Sequence, residues 1–104
     1  MRFDSAQRGD IVQFERPEWR PLTALLSEHI AECFMWMHEI RLDDGTAVHA
    51  YKHVRTRRYL YLAFDGHAFA CLGDAYLRIE TWLAVMCVVP QGEWPTRSTS
   101  DAPC

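Results

Sequence analysis

The longest unbroken apolar run in this 104-residue chain is eight residues, Trp82 to Val89. A membrane-spanning helix needs about 18 or more, so none is expected. The opening segment MRFDSAQRGD has no apolar stretch behind its arginines, and so lacks the pattern of a secretory signal or transit peptide; a cytoplasmic protein is the expectation. Cysteine is sparse. Cys33, Cys71, Cys87 and Cys104 show none of the short paired spacings of a zinc or redox site. The five glycines form neither a phosphate loop nor a nucleophile elbow. Excess positive charge is missing as well: the net charge is −3, which argues against a general duplex-DNA binder held by long-range attraction. Lysine is nearly absent, one against ten arginines.

What is present suits one globular domain. A chain of this length, 49% apolar and 24% charged, buries enough surface to fold without disulfide or metal. Residues 1–89 read as the domain and 90–104, rich in proline, serine and threonine, as a polar tail. The segment Asp10 to Glu15 alternates as a first strand, with Ile11 and Gln13 facing away from Val12 and Phe14. Pro21 suits the first turn of a helix. Leu22, Leu25, Leu26, His29, Ile30 and Cys33 then follow at the spacing of one helix face, which predicts an amphipathic N-terminal helix.

From Met35 the period becomes two, setting Trp36, His38, Ile40 and Leu42 against Met37, Glu39 and Arg41. Asp44-Gly45, Asp65-Gly66 and Gly73-Asp74 are tight-turn dipeptides. Strands near 36–42, 47–53, 58–64, 67–72 and 75–79 are predicted, joined antiparallel because parallel crossovers need a dozen or more residues. Glu80 to Val89 is read as a short buried helix, with a core strand as the rival. The expected class is α+β: an antiparallel meander of five to six strands packed by an N-terminal amphipathic helix and a short C-terminal helix. Cys33, Cys71 and Cys87 fall in apolar patterns and are expected as small buried hydrophobes, Cys104 as exposed.

The chemistry concentrates between Gly45 and Phe64. Lys52, Arg55, Arg57 and Arg58 lie among Tyr51, His53, Tyr59 and Tyr61, so four cations within seven residues sit on a remainder of charge −7. Alternation predicts Leu60, Leu62 and Phe64 toward the core, and allows one face to display His49, Tyr51, His53, Arg57, Tyr59 and Tyr61 together. Tyr51, Lys52, His53, Arg55, Arg57, Arg58, Tyr59 and Tyr61 form the candidate partner-binding site. Tyrosine and arginine anchor protein interfaces; the same pairing grips single-stranded RNA.

No catalytic, metal or cofactor site is expected. His49 and His53 stand four apart, roughly 13 Å along a strand, so one metal cannot join them without His38 or His67. Histidines 49 or 53 with Lys52 and Tyr51 supply the chemistry of a ribonuclease, as a third reading. Arg8-Gly9-Asp10 spells an adhesion tripeptide, which a cytoplasmic location makes coincidental. In size, acidic balance and absence of catalytic motifs the chain resembles the small phage and mobile-element proteins that inhibit bacterial defence systems, anti-CRISPR proteins among them. The resemblance is one of type and implies a non-enzymatic protein-binding module; a small RNA-binding protein is the alternative.

Overall fold

The computed structural model describes residues 6–12 and 16–90. Alternating sequence and glycine turns convert directly into strands: Gln7–Val12 (β1), Phe34–Leu42 (β2), Ala47–His53 (β3), Tyr59–Ala63 (β4), Ala68–Leu72 (β5) and Ala75–Ile79 (β6). Gly45, Gly66 and Gly73 take φ of 90°, 90° and 73° at the hairpin turns, a region that a side chain penalises. Every strand pairs antiparallel with its sequence neighbour, and β6 returns to β1, so the meander closes into a six-stranded barrel. Closure rests on Gln7 opposite Tyr76 and Arg8 opposite Ala75, and Gly9 N–H donates to Asp74 O at 3.4 Å. The first strand thus lies earlier than alternation suggested; positions 13–15 of that expectation, like the tail beyond residue 90, fall outside the described residues. No helix among the described residues is long and apolar enough to cross a membrane.

The barrel has two apolar layers. Inside, Ile40, Leu42, Val48, Ala50, Ala63, Phe69 and Tyr76 pack together, with Tyr59 and Tyr61 against them. Outside, Tyr51, Leu60, Leu62 and Ala68 join Leu22 and Val85 from the covering helices and Leu26 from the bend between the two N-terminal helical turns. Burial of each such aliphatic side chain contributes about 1.5 to 3 kcal/mol. The interior is narrow at Gly9, where an added Cβ would lie 2.6 Å from Ile40 Cγ2 and 2.9 Å from Leu42 Cδ2. The Arg8-Gly9-Asp10 triplet is therefore a strand segment in which glycine answers to packing.

Three expectations change. The fold is predominantly β, because the single N-terminal helix is two short turns, Arg20–Thr23 (α1) and Glu28–Ala31 (α2). Ser27, at ψ 157°, interrupts the stripe and caps α2 by accepting from Ile30 N–H at 3.4 Å; serine favours this cap over a helix interior. Leu25 consequently ends half-buried. Second, the β2–β3 register shifts between Trp36 and His38. This bulge places Trp36 opposite Tyr51 on the outer face while His38 stays opposite Ala50 inside, so the pair do not share a side. Third, Cys71 and Cys87 are exposed and Cys33 is half-buried; apolar neighbours in sequence left them at a strand end and on the outer side of a helix. The C-terminal helix does form, as Thr81–Val88 (α3), with the Glu80 carboxylate accepting from Leu83 N–H at 2.9 Å.

Substitutions test the two layers. Gly9→Ala should destabilise by about 1 to 3 kcal/mol through overpacking of the interior. Leu62→Ala should cost about 2 to 5 kcal/mol by opening a cavity under the helices, and Leu25→Ala distinctly less. Urea midpoints measured in parallel check both.

Candidate functional site

The turn between β3 and β4 decides which predicted residues can act together. Val54 to Arg57 form a four-residue loop in which His53 N–H donates to Arg58 O at 2.9 Å and Arg57 N–H to His53 O at 2.9 Å. That loop length sets Lys52 opposite Tyr59 and Ala50 opposite Tyr61 on the inner face, and Tyr51 opposite Leu60 and His49 opposite Leu62 on the outer face. Alternation within each strand is as read from the sequence, except that Phe64, expected toward the core, lies just past the end of β4 and is exposed. The proposed common display is not, because side-chain facing across a hairpin depends on loop length.

Tyr51 and His53 are wholly buried beneath the helices. The Tyr51 hydroxyl donates to Glu18 O at 2.5 Å, tying the segment before α1 to the barrel, and burial raises its pKa well above the ordinary tyrosine value. His53 Nδ1 accepts from Arg55 N–H at 3.1 Å and Thr56 N–H at 3.3 Å. Burial, and then the Arg55 charge, lower its pKa. Its ring also meets Phe34 edge to face, with centroids 5.0 Å apart. His49 is buried too, accepting from the Trp36 indole at 3.2 Å through Nδ1. The set invoked for a ribonuclease is therefore divided: His49, Tyr51 and His53 lie on one face of β3 and Lys52 on the other.

Thr56 of the turn and Arg58 just after it hold α3. Arg58 Nη1 donates to Cys87 O at 2.7 Å and Thr56 Oγ1 to Val88 O at 2.7 Å. Both reach carbonyls that a helix end leaves without internal partners, and the cation also opposes the negative end of the helix dipole. Arg57, by contrast, is exposed and has the one positive φ, 65°, among described non-glycine residues. Such a conformation costs a non-glycine residue about 1 to 2 kcal/mol and is typically retained at functional positions. Arg55 is likewise exposed on this turn.

The remaining predicted residues converge at one end of the barrel. Tyr59 and Tyr61 stack at 5.7 Å with planes 15° apart, and Tyr61 meets Tyr76 edge to face at 5.5 Å. Lys52 Nζ lies 5.7 Å from the Tyr59 centroid, within cation–π range, and His38 lies 6.4 Å from the same ring. Burial, followed by the neighbouring Cys71, pushes the Tyr76 hydroxyl up to about 12 and raises Tyr61 as well. Both stay neutral hydrogen-bonding groups. Burial lowers the pKa of His38. Met35, opposite Lys52, and Val54 on the adjoining turn add exposed apolar surface, at 40% and 42%.

Sequence reading missed Met35, His38 and Tyr76 as members of this cluster. The period-2 pattern contained His38, but only the bulge and barrel closure bring these residues beside Tyr59 and Tyr61. His67 stands apart, 3.0 Å from Asp65 and 3.3 Å from Arg78 Nη1. Among the described residues no group of three or more His, Cys, Asp or Glu side chains is arranged to hold a metal ion.

Arg57→Gly should stabilise the protein by about 0.5 to 1 kcal/mol, the released strain exceeding the added backbone entropy of the unfolded chain. Arg58→Ala should destabilise by about 0.5 to 1 kcal/mol through loss of the helix-end contact. Denaturant unfolding of the two variants separates the strained cation from the structural one. Comparison of the chain with protein-family models, with curated proteins and with solved structures finds no match.

Proposed function

We propose that this is a small, non-enzymatic, cytoplasmic binding module that takes a protein partner at the open end of its barrel. The observation that carries the reading is the cluster of half-exposed inward-facing side chains, Lys52, His38, Tyr59 and Tyr61, continued by the exposed apolar Met35 and Val54. Rigid tyrosines and a methionine around a few cations are the composition of an interface centre. The strained Arg57 at its edge supports the same reading. Lys52 and Arg57 favour a partner that presents carboxylates between apolar residues.

A protein partner is favoured over RNA because the cation set is smaller than the sequence suggests. Arg58 is committed to α3, leaving at most three of the four clustered cations for phosphates. Each phosphate neutralised on a single strand contributes a salt slope of about −0.7, so RNA binding at this end would be weak at physiological salt. An inhibitor that blocks its target by surface contact, the type the sequence resembles, needs no further machinery.

The test combines affinity capture from cells with purified-component binding. A partner should survive nuclease treatment, and Lys52→Glu should weaken its binding at least tenfold, about 1.4 kcal/mol, with an unchanged melting temperature. Capture that disappears with nuclease, or equal partner affinity in Lys52→Glu and the parent chain, would sink the protein-interface reading.

A further inference from the structure

The outer face of β2 and β3 carries a feature that the barrel mouth does not use. Arg41 stands opposite Ala47, and Glu39 opposite His49. The small Ala47 leaves a hollow of about 470 Å³, walled by Arg16 and Glu18 from the segment before α1 and by Phe64 at the end of β4. That volume falls within the roughly 300 to 1,000 Å³ of small-molecule sites.

Its chemistry is specific. Glu39 is only 5% exposed; its Oε2 accepts from Arg41 Nη2 at 2.6 Å, and no described residue donates to Oε1. Desolvated carboxylate oxygens are strong acceptors that native structures supply with donors, so Oε1 is the acceptor available to a molecule in the hollow. Phe64 forms an aromatic wall. Its ring is 52% exposed, meets His49 edge to face at 5.4 Å, and lies 5.2 Å from the Arg20 guanidinium carbon. Glu18 is engaged by Arg20 at 2.8 and 2.9 Å, which fixes that guanidinium over the ring. Among the described residues, Arg16 and Arg41 thus line the hollow and Arg20 stands beside its aromatic wall, giving it a guanidinium rim.

An acceptor in the floor, an aromatic wall and a cationic rim select a planar ligand with N–H donors on one edge and an anionic group on the other side. We propose that this hollow binds a purine nucleotide with the hydrogen-bonding edge of guanine, its N–H groups toward Glu39 and its phosphate toward Arg16. Adenine lacks the ring N–H of that edge, and inorganic phosphate lacks the base altogether. The site is separate from the barrel mouth, so its success or failure is independent of the partner reading.

Titration of the full chain with guanosine monophosphate, adenosine monophosphate and inorganic phosphate, followed by NMR, tests the assignment. The Trp36 indole N–H is the reporter, because it bonds to His49 beneath the hollow. A saturable shift with the guanine nucleotide, at least tenfold weaker with the adenine nucleotide and absent with phosphate, is expected. Glu39→Gln should weaken binding at least tenfold. Ala47→Leu, which fills the hollow without touching the interior, should abolish it while leaving the remaining spectrum intact. No saturable guanine-nucleotide shift, equal response to the two nucleotides, the same shift with phosphate alone, or undiminished binding by Ala47→Leu would each overturn the proposal.

Discussion

The width of a six-stranded barrel interior is the constraint on which the rest depends. At Gly9 it admits no side chain, since a Cβ there would meet Ile40, Leu42 and Tyr76 at 2.6 to 3.0 Å. Small Ala50 and Ala63 face the larger Phe69 and Tyr76 for the same reason. Such a space cannot enclose every inward-pointing side chain. Tyr59, Tyr61, Lys52 and His38 therefore remain half-exposed where the interior opens, and the proposed binding surface would be a consequence of the barrel being full. The outer face has the opposite problem. Leu60, Leu62 and Tyr51 would be an apolar patch, so the helical turns and α3 cover them.

A single bulge connects both candidate sites. By shifting register between Trp36 and His38, it leaves His38 at the mouth beside Tyr59 and turns Trp36 outward to donate to His49. The same strand pair thus builds an aromatic, cationic surface on its inner side and a polar hollow on its outer side. The basic turn that follows β3 is similarly divided. Arg58 secures α3, His53 is a buried acceptor for the turn's backbone, and Arg57 is held exposed in a strained conformation.

Much of the architecture was legible in the chain. Period-2 runs and the Asp-Gly and Gly-Asp turns located β2 to β6 closely, and the Glu80-Thr81 start marked α3 as helix. What sequence pattern could not reveal was relative: which face of β3 meets which face of β4 depends on the length of the Val54–Arg57 loop, and an extra residue at a bulge reverses facing without altering composition. The break at Ser27 had a visible signal, a serine followed by Glu28 inside an apolar stripe, which the periodicity overrode. Barrel closure through two residue pairs at Gln7 and Arg8 left no mark in the alternation at all. The candidate site followed suit: Lys52, Tyr59 and Tyr61 do converge, whereas Tyr51 and His53 became core.

The division of β3 and β4 into an inner and an outer face is the central claim, and side-chain NOEs in solution measure it directly. Cross-peaks from Lys52 to Tyr59, from Tyr61 to Tyr76 and from Gly9 Hα to the Tyr76 ring, together with Tyr51 to Leu60 and to the Leu22 methyls, are predicted. NOEs joining Tyr51 or His53 to the Tyr59 and Tyr61 rings, with none between Gly9 and Tyr76, would contradict it, because they would place the tyrosines on one face of an open sheet.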